Sequence, residues 1–215
     1  MYKGKAYRRS DTASIEVDQA ELKELVLQGS NLYFEELPCK REDLVFKELS
    51  TKLIEKLDIK VVSEDVLRTL GLFTKDKKFN HAAALLADEN EFYGIDIARF
   101  GNSINEIMDR ETIWKTSILK QYDTALNMIK RYYQYEEISE IERKKVDLVP
   151  ETAYREAIAN ALIHRDWSIN SHIRISMFSD KIEIKSPGDL PRGISAEEYM
   201  NGDITCDNRS VSCNE

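Results

Sequence analysis

The sequence is short of every feature that would mark an exported or membrane-bound protein. Its three cysteines, Cys39, Cys206 and Cys213, form no CxxC pair and leave an odd thiol, so neither a disulfide framework nor a cysteine-rich zinc site is supported. No apolar run nears the roughly 18 residues that a membrane span needs. The longest candidate is Ala82 to Ala87, and the N-terminus has no signal-peptide core. A soluble, unexported protein in a reducing cytoplasm is the expectation. An excess of positive charge is missing as well: 31 Lys+Arg face 39 Asp+Glu, for a net charge of -8. Only two short basic clusters, Lys3 to Arg9 and Arg143 to Lys145, could follow a phosphate backbone, so duplex DNA binding is not indicated. No GxxxxGK[ST] run occurs, and the phosphate grip of helicase motors depends on one.

What is present suits a globular chain. Its 215 residues are 42% hydrophobic and 33% charged, enough to bury a core without staples, and this argues against disorder and collagen-like repeats. The acidity is even: residues 1–150 carry 24 Lys+Arg and 28 Asp+Glu, and residues 151–215 carry 7 and 11, so each part is -4.

Gly4 to Arg9 reads as a strand, followed by a polar loop up to residue 17. Helices follow. Asp18 with Glu21 has capping-box spacing ahead of Ala20 to Gln28, and Gly29 supplies a stop. After Pro38, the residues Leu44, Phe46, Leu49, Leu53, Ile54 and Leu57 recur mostly at threes and fours, and Ser63 caps a short helix that ends at Gly71. Periodicity does not separate a winged-helix-like segment from a plain helical linker over 18–71. The continuous apolar run Ala82 to Ala87 predicts a central strand, paired with a half-buried strand marked by Ile95, Ile97 and Phe100. Lys115 to Tyr135 is a long amphipathic helix with Ile118, Leu119, Tyr122, Ala125, Leu126, Ile129 and Tyr132 on one face. Tyr132, Tyr133 and Tyr135 at its end could stack on bases; finishing a core with their hydroxyls in water is the commoner role. A charged strand over 140–149 leads to Pro150.

Pro150 favours a helix start, and Glu151 to Arg165 reads as a helix whose alanines at 153, 157, 159 and 161 allow close approach to a sheet. Glu156, Asn160 and His164 stand at i, i+4 and i+8 on one face. A carboxylate and a carboxamide one turn apart suit water and a metal ion as partners; they equally suit a plain solvated surface. Next, His172 to Phe178 and Ile182 to Ile184 alternate around Ser179 and Asp180 as a β-hairpin. The loop SPGDLPRG over 186–193 follows, and Ser195 with Glu198 makes a capping box for a further helix.

In this order the sequence resembles the histidine-kinase-like (GHKL) ATPases, in the branch of RecG-related, Schlafen/AlbA-domain ATP-binding proteins. EAIANALIHRDW (Glu156 to Trp167) is similar to that class's N-box, and HIRISMFSDKIEIKSPGDLP (His172 to Pro191) to its hairpin and first glycine box. HAAALLADENEFYGIDIARFG (His81 to Gly101) resembles its upstream part, and KAYRRSDTASIEV (Lys5 to Val17) the last strand and exit of a Schlafen/AlbA-type domain. The resemblance implies an α+β fold, a two-layer α/β sandwich of histidine-kinase-like ATPase type preceded by a helical lead-in. It divides the chain into 1–17 as the tail of the Schlafen/AlbA-type domain, 18–71 as the lead-in and 72–215 as the ATP-binding domain, C-terminally incomplete. It also implies that residue 1 lies inside a longer product.

The same resemblance assigns roles. Glu156 would orient and polarise the attacking water as general base, and Asn160 would ligate Mg²⁺ bridging the phosphates of ATP. Ser186 and Gly188 would approach the nucleotide, Ser186 accepting a hydrogen bond from adenine, and His164 and Arg165 would face the phosphates. The reading agrees with elementary chemistry, because Mg²⁺ takes oxygen donors and keeps several waters. The implied function is an ATP-binding module of a transcriptional regulator, cytoplasmic, with no membrane association, DNA as a partner of the full-length protein and a possible homodimer. Departures point to an alternative, a degenerate, non-hydrolysing fold acting as a protein-interaction or DNA-binding scaffold. Ser186, Pro187 and Gly188 stand where better-known members have Asp-x-Gly, Asp189 would repel a polyphosphate, and DITCDNRSVSCNE replaces the lid and last strands. Without a lid water is poorly excluded, so hydrolysis by this chain should be slow or absent.

Overall fold

The computed structural model describes residues 6–10, 13–18, 33–57, 59–138 and 143–188 and positions 22, 26 and 29. Its elements, in chain order, are β1 (Ala6–Ser10), β2 (Ala13–Val17), a 3-10 turn (Phe34–Glu36), α1 (Lys47–Leu57), α2 (Glu64–Thr69), α3 (His81–Leu86), β3 (Ile95–Phe100), β4 (Ile107–Ile113), α4 (Ile118–Tyr133), β5 (Gln134–Ile138), β6 (Arg143–Asp147), α5 (Glu151–Ile163), β7 (Ile173–Met177) and β8 (Ile182–Lys185). They fall into two compact units, one within Met1–Leu44 and Leu53–Ala84, the other within Val45–Lys52 and Leu85–Glu215.

In the first unit, β1 and β2 form an antiparallel hairpin, so the segment read as a polar loop is a second strand. Its side chains at Ser14, Ile15 and Glu16 are exposed and only Val17 is buried, which is why no alternation marked it. Most of the helix expected over Ala20 to Gln28 lies outside the described residues; Leu22 and Val26 are helical, and so is Gly29, which was expected to stop it. Ser63 caps α2 as expected, its hydroxyl accepting from the Val66 N–H. The apolar run at Ala82 to Ala87 is not a strand: α3 covers most of it. Alanine and leucine favour helix and nothing in the run is β-branched. The buried Asn80 starts that helix, its Oδ1 accepting from the Ala83 N–H at 3.0 Å while its Nδ2 donates to the Gly71 carbonyl at 2.7 Å.

The second unit is built on a four-stranded sheet in the order β4-β3-β7-β8, with β3 and β7 parallel and the outer pairs antiparallel. Register sets Ile95 beside Ile173 and Ile97 beside Ile175 on one face, and these side chains with Met177 are 1% exposed or less. Each such burial contributes about 1.5–3 kcal/mol. Helices α4 and α5 pack on each other, α4 against β3 and α5 against β8, which makes the second layer. The other face carries Asp96, Arg110, Thr112, Arg174, Ser176, Glu183 and Lys185, with Asp96 held bidentately by Arg110 at 2.9 and 2.8 Å. The chain is therefore α+β, with a two-layer arrangement here. β4, for which no signal was read, is an edge strand with most of its side chains in water.

Ser117 caps α4 by accepting from the Leu119 N–H, and Ala125, Leu126, Met128, Ile129 and Tyr133 form its buried stripe. Of the three tyrosines at its end, Tyr135 is exposed, but the hydroxyls of Tyr132 and Tyr133 are not left to water. Tyr133 donates to the Phe178 carbonyl, and Tyr132 donates to Asp109 at 2.6 Å beneath the Arg99 guanidinium. β5 and β6 continue from α4 as a separate two-stranded hairpin. No helix among the described residues is long and apolar enough to cross a membrane.

Candidate functional site

α5 starts at Pro150, whose fixed φ suits a first turn, and its core face is Tyr154, Ile158, Ala161 and Leu162. Lys130 on α4 meets Glu151 at 2.7 Å, and Arg155 on α5 itself reaches the same carboxylate at 3.5 Å, while the buried face sets the rotation of α5 about its axis. The opposite face then presents Glu156 and Asn160 to solvent one turn apart, with Ala153 and Ala157 beside them, also exposed. The alanines expected to allow close packing thus divide: Ala161 is buried, while 153 and 157 keep the outer face low. Among the described residues neither the Glu156 nor the Asn160 side chain has a hydrogen-bond or ion-pair partner. His164 is the exposed C-cap, its N–H donating to the Asn160 carbonyl at 2.9 Å.

The loop that follows β8 returns to the end of this helix. The Ser186 hydroxyl donates to the Ala161 carbonyl at 2.9 Å, and the Pro187 carbonyl accepts from the Asp166 N–H at 3.0 Å. Gly188 has φ +142, a backbone conformation open to glycine alone, and a Cβ there would stand 3.4 Å from the Asp166 nitrogen. Glu156 and Asn160 therefore share one helix with Ala161, the anchor of Ser186, while Gly188 lies against Asp166 just past the helix end. Asp189 and the capping box at Ser195 and Glu198 lie outside the described residues.

Arg165 departs from expectation. It does not face outward but is 1% exposed, and burial pushes it down to about 10, still charged at neutral pH. Its guanidinium donates to the carbonyls of Tyr93 at 2.8 Å, Ser171 at 2.7 Å and Ile169 at 3.2 Å. It also lies over the Trp167 ring at 4.1 Å from the centroid. Sequence reasoning missed this because a charged residue at a helix end reads as a solvent contact; the adjacent Trp167, an aromatic shelf for the guanidinium, was the available signal.

The residues fit a divalent ion held chiefly by other groups. No cluster of three or more His, Cys, Asp and Glu among the described residues could hold a metal alone, and Asn160 offers one uncommitted amide oxygen. That donor set suits Mg²⁺ completed by phosphate oxygens and water.

Comparison with known proteins bears on the same segment. Residues 170–212 match the family described as "Putative ATP-dependent DNA helicase recG C-terminal". This C-terminal segment is similar to the RecG C-terminal family. The match takes in β7, β8 and the loop that carries Ser186 and Gly188. A solved structure, the DIP2311 protein from Corynebacterium diphtheriae, is similar in fold with a TM-score of 0.65 at 23% identity, covering 91% of this chain and 41% of that one. The chain thus spans about two-fifths of that protein's length. No curated protein matches.

Proposed function

We propose that the outer face of α5 and the Ser186–Gly188 loop form a site for ATP with Mg²⁺. One observation carries it: Glu156 and Asn160 stand exposed and unengaged among the described residues, on the same helix to which the glycine loop is tied through Ala161. Asn160 would hold the ion through its amide oxygen and Glu156 would orient water beside the terminal phosphate. Ser186 and Gly188 would let backbone approach the base, and His164 would lie toward the phosphates. The bound ion would supply charge neutralisation of the phosphates. The Ser186 hydroxyl spends its proton on Ala161 and so faces a ligand only as an acceptor. In this reading residues 72–215 are the nucleotide-binding part of a transcriptional regulator whose DNA contacts and dimerisation belong to the full-length protein.

Calorimetric titration with a non-hydrolysable ATP analogue, with and without magnesium, tests the site. Saturable binding that requires magnesium and weakens at least about tenfold in Asn160→Ala, with an unchanged fold, is expected, since a lost ligand contact of about 1.4 kcal/mol has that effect. Glu156→Gln should bind as wild type and lose any hydrolysis. No heat at millimolar analogue from the wild-type chain would sink the reading in favour of a non-binding scaffold.

A further inference from the structure

A buried charge needs its donors engaged, and Nη1 and Nη2 of Arg165 donate to backbone carbonyls of two separate segments. Tyr93 leads into β3, while Ile169 and Ser171 belong to the turn between α5 and β7. Asp166 lies in that same turn, and its N–H carries the Pro187 carbonyl. Gly188 packs against Asp166, and Ser186 hangs from Ala161. The position of the glycine loop relative to Asn160 is thus set by backbone over 161–171, which Trp167 and local hydrogen bonds also hold and which one guanidinium ties to the strand lead-in at Tyr93.

We propose that Arg165 is a positioning residue for the nucleotide site, fixing the turn after α5 so that the Ser186–Gly188 loop and the Glu156/Asn160 face hold one geometry. It touches neither phosphate nor base. The proposal rests on the Mg-ATP reading above. Lysine keeps the charge but not the planar fork that reaches three carbonyls at once, so Arg165→Lys should disturb the turn while leaving the core apolar residues in place.

The test is titration of wild type, Arg165→Lys and Ile97→Val with the magnesium-bound, non-hydrolysable ATP analogue, below each melting temperature. Ile97 is fully buried in β3 away from the clamp, so its variant reports loss of stability alone. The expected result is wild-type affinity in Ile97→Val despite a lower Tm, and affinity about ten- to a hundredfold weaker in folded Arg165→Lys, the usual range for groups that orient a ligand's direct contacts. Equal affinity in folded Arg165→Lys, or a loss in Ile97→Val matching it, overturns the proposal. Should Arg165→Lys not fold, Arg165→Gln, which keeps amide donors without a buried charge, is judged by the same criteria. A wild-type chain that does not saturate overturns the nucleotide reading and this inference together, whereas wild-type saturation with an unaffected Arg165 variant overturns this inference alone.

Discussion

His172 enters β7 with its ring edge-on to Tyr93 and Trp114, at centroid distances of 5.0 and 6.2 Å. Burial foremost holds its pKa below the ordinary imidazole value; the positive charges of Arg165, Arg110 and Arg174 act in the same direction, and Asp96 opposes them. The unfolded chain therefore binds this proton more readily than the folded one. Stability is unaffected well above about pH 6.5 and falls as pH drops through the window between the unfolded and the lower folded value. Thermal melts from pH 7.5 to 5 should show a steeper loss of Tm for wild type than for His172→Gln; parallel curves would show that the imidazole is not responsible. Residues of this kind mark where sequence reading stops. Glu156 and Asn160 were legible because four-residue spacing on a helix is a local property. The inward turn of Arg165 depends in part on the Tyr93 carbonyl 72 positions away, and apart from the nearby Trp167 no local pattern signals it.

Elements were legible in proportion to how far their own periodicity decided their fate. β3, α4 and the β7–β8 hairpin followed from alternation or a helical stripe that faces one core, and α5 from Pro150 and its alanines. The six residues of α3 have neither, being apolar throughout, and what selects helix is Asn80 together with alanine propensity. Asn80→Ala would leave the Ala83 N–H and the Gly71 carbonyl without their partners in a buried place. A loss of about 2 kcal/mol is expected, at the upper end for an N-cap because both ends of the amide are used. Denaturant unfolding would show it as a lower midpoint at constant slope, and a change under about 0.5 kcal/mol would mean that α3 does not need this cap. The edge strand β4 was missed for the opposite reason: exposed side chains on both faces erase alternation.

At the scale of the whole molecule, the resemblance read from the sequence and the observed two-layer unit agree on architecture, while the proposed chemistry is placed on an outer helix face that the fold alone does not assign. A net charge of -8 and an isoelectric point of about 5.1 set the colloidal behaviour. Solubility should pass through a minimum near pH 5 and recover on either side, measurable by turbidity at fixed ionic strength; a flat profile from pH 4 to 7 would show that surface charge does not control association.

The β5–β6 hairpin has a consequence for that association. Its register sets Glu136 against Lys145 and Glu137 against Lys144, so one strand is acidic and its neighbour basic. Two copies pairing edge to edge by twofold symmetry would set β5 on β5 or β6 on β6, acid to acid or base to base, which is repulsive in either case. The hairpin thus matches its own other strand in charge and disfavours edge-to-edge pairing with the same strand of a second molecule.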